Sequence, residues 1–308
     1  MILADTFKSL LATIGIMTTR SNALLGVTGL VLFPLCLVKN LATLAPFSLV
    51  GIMGMLYTSV AIGVRFFGGA YKAGGKFLPD LSPSLQPSFG STGAMGALSP
   101  NSLILVCMLS TAYIAHFNAP RFFKELKNNT MKRFGSMTSW SFGISTALYA
   151  SVSAMAFLTF GSASDGLILN NYSTKDLLIT ASRFAVAVSL VFSYPLLFVG
   201  TRDGYFDLLK IPDEKRTDNL QNKVTVGLLG VITAMAWKLT DLSFVSSMSG
   251  AIFGTALIFV YPSLMFRGAV RKLGDKATDG MKRESKLAGV INALGVVIGI
   301  IGAKMAWG

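Results

Sequence analysis

Charge is scarce in this sequence. Asp, Glu, Lys and Arg make up 13% of its 308 residues, against roughly 25% in an ordinary soluble domain. Histidine occurs once, at His116, and cysteine twice, at Cys36 and Cys107, both inside apolar stretches. So few ligating side chains exclude a disulfide framework or a zinc site, and the expected cofactor list is empty apart from a coupling ion. No paired carboxylates, no Ser–His pair at usable spacing and no metal motif stand in the apolar runs, which argues against an intramembrane enzyme. The first residues carry Asp5 and no basic n-region, so they do not read as a secretory signal peptide. Of the two signs of charge the acidic is the scarcer, 14 residues against 27 basic, giving a net charge of +13. In a soluble chain that excess would suggest nucleic acid. Here the basic residues lie between hydrophobic runs, where they fix topology, and no nucleic-acid partner is expected.

What the chain has in abundance is apolar sequence, 52% of it, with a mean hydropathy of +0.61. The expected fold class is all-α: a polytopic membrane protein, one transmembrane domain over 1–308, with the lipid bilayer as its partner. Nothing in the residues points to an oligomeric state. Residues 1–16 read as a partial helix. Spans are expected at about 23–38, 46–66, 102–120, 137–160, 177–201, 224–240, 243–266 and 287–306, each long enough to cross. Residues 67–101 form a long outer loop rich in Gly and Pro, of the kind that is either functional or disordered. Pro34 predicts a kink in the first full span.

Alternate loops differ in basic content, 18 Lys and Arg on one side against 7 on the other. The richer side, with Arg121, Arg202, Arg267 and their neighbours, is expected to be cytoplasmic. The sequon Asn171-Tyr172-Ser173 then falls on the side where glycans are added. Asp5 reads as a proton-relay group or as the mark of a helix end. Arg183, about two turns into its span, is expected to snorkel outward. Gly250-xxx-Gly254 and Gly295-xxx-Gly299 predict close helix packing, with Ser247 and Ser249 near the former as possible cavity residues.

The stretch N-S-L-I-L-V-C-M-L-S-T-A-Y-I-A-H-F-N-A-P-R-F-F-K-E-L at 101–126 stands apart. It starts as an apolar helix and runs into His116, Phe117, Asn118 and Pro120 before hydrocarbon depth is used up. Pro120 lacks an N–H and restricts its predecessor, and freed backbone groups at that depth must face protein or a wet cavity. A broken helix is where a transporter would hold a polar solute. The candidate solute residues are Thr111, Ala115, His116, Phe117, Asn118 and Ala119. Unwound backbone would meet a solute's charged ends, the alanines would leave room and Phe117 would close over it. The competing reading is a helix that simply ends near His116 at the interface.

Four stretches carry a resemblance: F-P-L-C-L-V-K-N-L-A-T-L-A-P-F-S at 33–48, A-H-F-N-A-P-R-F-F-K-E-L at 115–126, R-F-A-V-A-V-S-L-V-F-S-Y-P-L-L-F-V-G-T-R-D at 183–203, and S-G-A-I-F-G-T-A-L-I-F-V-Y-P at 249–262. Together they resemble the amino acid/auxin permease family, which includes sodium-coupled neutral and vacuolar amino acid transporters. The resemblance implies a LeuT-like bundle of two inverted five-helix repeats plus one helix. On that plan the chain begins late in the third helix, 102–120 is the sixth and 177–201 the eighth. The first two and a half helices are expected to be missing, including an unwound first helix that shares the solute and cation contacts.

The resemblance implies secondary active transport of a neutral amino acid by alternating access, coupled to Na+ or H+, in the plasma membrane or a vacuolar or lysosomal membrane. Ser193 matches a position where sodium-coupled members place a hydroxyl against the ion, and Ser189 lies one turn earlier on the same face. Possible sodium at Ser193 is the one metal expected. Helix packing or a bond back to a carbonyl is the ordinary alternative for both serines. The alternative function is a truncated, non-transporting membrane protein acting as a nutrient sensor or a modulator of a full-length transporter.

Overall fold

Several of the long helices begin where a short polar side chain accepts from the first turn's free N–H groups. The computed structural model describes residues 1–38, 45–89, 102–115 and 119–307. In chain order its helices are α1 (Ile2–Thr13), α2 (Arg20–Leu37), α3 (Ala45–Phe67), α4 (Ser102–Ala112), α5 (Ala119–Glu125), α6 (Met131–Phe160), α7 (Leu177–Leu208) and α8 (Asp218–Lys238). Next comes α9, which starts as Leu242–Ser249 and ends as Tyr261–Leu273, and last α10 (Asp279–Trp307). Thr19, Asp176, Thr217 and Asp241 cap α2, α7, α8 and α9. No strand occurs among the described residues, only an isolated bridge between Ser88 and Gly161. The protein is an all-α polytopic membrane protein.

Six of these helices, α2, α3, α6, α7, α9 and α10, are long and apolar enough to cross a membrane, against the eight spans expected. The two that differ do so for plain reasons. Helix α4 has only 11 residues, and α8 opens on the polar run Asp218-Asn219-Leu220-Gln221-Asn222-Lys223.

Two helices contain wide turns with i→i+5 hydrogen bonding. One lies at Thr28–Leu32 in α2, and two lie at Gly250–Gly254 and Ala256–Val260 in α9. Pro34 and Pro262 come after the first and the last of these within two residues. A proline cannot donate to the carbonyl four residues back, and wide turns are one way a helix accommodates such a gap.

The chain divides into two compact units, one made of Met1–Gly90 with Ser145–Thr240, the other of Ser91–Ile144 with Asp241–Gly308. In the first unit α3 lies against α7 through small residues. A Cβ on Gly54 would stand 3.1 Å from the Ala185 side chain, and one on Gly51 only 2.6 Å from Ser189 Oγ. Lipid tails are as apolar as leucine, so helices join in a bilayer through such close backbone approach. Leu3, Val27, Leu32 and Ala187 tie α1 and α2 to α7, and Cys36, Phe198 and Leu229 tie α2, α7 and α8. Asp5 stands in the first turn of α1, at a helix end, and pairs with Arg20 at 2.9 Å, joining α1 to α2.

The loops of this unit carry its most polar core. Residues 68–89 fold into turns and two short 3-10 segments and bury Tyr71, Phe77 and Leu81 against Phe160, Leu169, Tyr172 and Ile179. Three residues of this loop therefore belong to the core. Arg183 does not snorkel. It is buried on α7, and its guanidinium donates to the carbonyls of Leu169, Tyr172 and Ser173 at 2.7–3.3 Å. The loop 161–176 folds back over the start of α7, so those carbonyls are nearer than water. The sequon is also occupied from within. Asn171 is fully buried, donates to Ala163 O and accepts from Asp165 N, both at 2.7 Å, which leaves its amide no room for a glycan.

In the second unit glycines set the spacing. A Cβ on Gly250 would overlap the Cys107 carbonyl, one on Gly302 the Cys107 sulfur, and one on Gly299 would sit 2.8 Å from Ala251 O. A Cβ on Gly295 would overlap Phe259. Both expected glycine pairs thus bring helices together, and Phe244 meets Trp307 edge-on at the far end. Ser247 is buried and donates within α9 to the carbonyls of Ser243 and Phe244.

Candidate functional site

The helix that carries the candidate solute residues stops early. Regular bonding in α4 ends with Tyr113 N donating to Leu109 O at 2.9 Å, followed by a long 3.5 Å contact from Ile114 N to Thr111 O. Tyr113 to Ala115 leave the helix, Ala115 is exposed, and the next described helix, α5, starts at Ala119. His116, Phe117 and Asn118 lie outside the described residues. Pro120 does not break a helix from within, contrary to the expectation from sequence. It opens α5, where its missing N–H has no intrahelical partner to lose and its fixed φ suits the first turn. Regular helix therefore ends at Ala112, well upstream of the proline.

Thr111 stands on the last turn of α4, half-buried. Its Oγ1 donates to Ser246 O at 3.2 Å, with Cys107 O at 3.4 Å as a second acceptor. The hydroxyl thus joins α4 to α9 beside Gly250, and its lone pairs remain able to accept from a solute ammonium. Tyr113 stacks on Phe142 of α6 with ring centroids 5.4 Å apart, which holds the chain at the point where it unwinds.

Ser189 and Ser193 belong to the other unit. Ser193 Oγ donates to the carbonyl of Ser189 at 2.7 Å, and Ser189 rests against Gly51 of α3. Local bonding and packing thus account for both side chains. Pro195, inside α7, withholds the N–H that would bond the Val191 carbonyl. Two serine hydroxyls and a carbonyl without its helical donor thus lie within two turns of α7.

Sequence reasoning missed a buried polar cluster in the first unit. Asp176, with none of its side chain exposed, accepts from Arg65 Nε and Nη2 at 2.8 and 2.7 Å and from Tyr71 Oη at 3.0 Å, besides capping α7. Burial pushes the Tyr71 and Tyr172 hydroxyls well above the usual tyrosine range, and the Asp176 charge adds to the rise. Lys175 pairs with Asp80 alongside. Farther along α7, Arg202 is buried with its Nη1 3.4 Å from Thr225 Oγ1 on α8. The signal available was arginine inside or beside an apolar run, since a charge there persists when a partner is at hand. This cluster fixes the ends of helices. Among the described residues it offers no group of side chains able to hold a metal.

Comparison with known proteins gives a family and a set of relatives. Residues 1–305 match the family model described as transmembrane amino acid transporter protein. A zebrafish (Danio rerio) protein, provisionally named sodium-coupled neutral amino acid transporter 11, is 28% identical over 206 residues, covering 67% of this chain and 44% of its own. The vacuolar amino acid transporter 7 of Saccharomyces cerevisiae is 28% identical over 171 residues, 56% of this chain and 33% of its own. The amino acid transporter AVT6E of Arabidopsis thaliana is 27% identical over 232 residues, 71% of this chain and 45% of its own. The matched region thus spans a third to about half the length of these curated relatives.

Proposed function

The chain belongs to the transmembrane amino acid transporter protein family, and on that footing we propose that it serves secondary active transport of amino acids across a membrane. The family match along nearly the whole chain carries the reading, and the early end of α4 at Ala112, with Tyr113 to Ala115 out of the helix, supports it. The proposed solute is a neutral amino acid, moved by alternating access in a LeuT-like bundle. Its charged ends would meet unwound backbone and side chains from Thr111, Ala115, His116, Phe117, Asn118 and Ala119. A coupling ion, Na+ or H+, drives the step, with Ser189 and Ser193 as the oxygen donors for sodium. The relatives' names include both a sodium-coupled and a vacuolar transporter, which supports either a plasma or a vacuolar membrane as its site.

The test is uptake of radiolabelled alanine and glutamine into proteoliposomes, under an imposed sodium gradient or an imposed pH gradient. Uptake under one gradient is expected, with T111V reducing it and S193A reducing only sodium-driven uptake. Absence of uptake of any amino acid under either gradient overturns the proposal.

A further inference from the structure

The basic end of the second unit holds a groove that no transport role uses. It lies between α9 and α10, measures about 520 Å³, and is lined by Arg267, Lys286, Gly289, Val290, Ala293, Leu294 and Val297. The two cations stand at one end and the apolar side chains continue along α10. Among the described residues no carboxylate pairs with either cation. The seat of Arg267 is built. Its guanidinium lies over Gly289, where a Cβ would stand 3.3 Å from Cζ and Nη1, so the absent side chain lets the planar group rest close to α10. Beyond it Val290, Leu294 and Val297 are half or more exposed, at 56%, 56% and 50%.

We propose that this groove binds one anionic phospholipid, with its phosphate between Arg267 and Lys286 and an acyl chain along Val290, Leu294 and Val297. Two unpaired cations at the mouth of an apolar channel complement an amphiphile with a negative head and not a free anion. Length agrees. From Lys286 to Val297 an α-helix rises roughly 16 Å at 1.5 Å per residue, about half of a ~30 Å hydrocarbon core, the reach of one leaflet's chain. Basic pockets between membrane helices bind anionic head groups by this chemistry, and the fork of Arg267 suits phosphate oxygens.

The experiment is native mass spectrometry of the full chain in neutral detergent, with palmitoyl-oleoyl phosphatidylserine, the phosphatidylcholine of the same chains, or inorganic phosphate. Phosphatidylserine is expected to be retained, and the other two are not. R267Q/K286Q is expected to weaken retention roughly tenfold or more, the scale of two basic residues near a membrane surface. K282Q/R283Q removes the same charge from exposed positions outside the groove and should change retention by less than about threefold. G289V keeps every charge but unseats the guanidinium, and should weaken retention even if the double charge variant fails to fold. Equal loss in both double variants, equal retention of phosphatidylcholine, or binding of inorganic phosphate alone overturns the proposal.

Discussion

Replacing Asp176 by asparagine tests a side chain that accepts from Arg65, Tyr71 and the first turn of α7 at once. The carboxylate is fully enclosed, while the Arg65 guanidinium that meets it remains 24% exposed. Asparagine caps a helix about as well as aspartate, so D176N removes the charge and spares the α7 cap. Breaking a buried ion pair costs roughly 3–5 kcal/mol. Because the orphaned guanidinium reaches water, the low end applies, about 3 kcal/mol. R65Q leaves the opposite orphan, a carboxylate with no route to water, and should cost more. The double variant should recover part of the loss, as coupled partners do. At about 2–4 °C per kcal/mol, D176N should lower the melting temperature by roughly 6–12 °C. Cys36 and Cys107 are both fully buried, so a thiol-reactive fluorogenic dye in detergent reports the transition. A D176N melt within about 2 °C of wild type, or R65Q costing less than D176N, refutes the reasoning.

R183M strips the donors from three enclosed carbonyls, at about 1–3 kcal/mol for each group left unpaired, and should melt well below wild type in the same assay, with R183K between them. G250A has no room beside the Cys107 carbonyl and should lose cooperative unfolding. G200A, with nothing within 4 Å of its added methyl, should be neutral or gain about 0.5–1 kcal/mol. Tyr71 and Tyr172 titrate higher in the folded protein than unfolded, so above pH ~10 the unfolded chain sheds protons that the native state keeps. Wild-type stability should be flat below that pH and fall above it, and Y71F/Y172F, though weaker at neutral pH, should show a shallower fall between pH 9 and 11.

The glycine contacts were legible because their cause is local: a residue without a side chain on an apolar helix has few uses besides close approach. The break after α4 was legible from the polar residues that interrupt an apolar run. Its position was not, because Pro120 fits the first turn of a following helix as well as it disrupts a preceding one, and only the path of the chain decides. Arg183 was misread since snorkelling assumes that the nearest polar atoms are water. Here they are three carbonyls of a loop whose fold no helical periodicity describes. The packing of 68–89 was hidden for a similar reason, its aromatic residues spaced for neither helix nor strand. Ser193 was legible as a hydroxyl one turn from Ser189, yet its partner, the Ser189 carbonyl, is an atom every residue carries.

The wide turns in α2 and α9 bear on how this chain tolerates insertions and deletions. A wide turn spends one residue more than an ordinary one, so it behaves as an insertion absorbed without rotating the rest of the helix. Removing one residue from 28–32 returns that turn to regular spacing and leaves Cys36 facing Phe198 and Leu229. Removing one from the uninterrupted run of α10 turns every later residue by about 100° and takes Gly299 and Gly302 away from α9 and α4. The same edit is thus conservative in one helix and ruinous in the other, and an alignment of relatives should place its single-residue gaps accordingly.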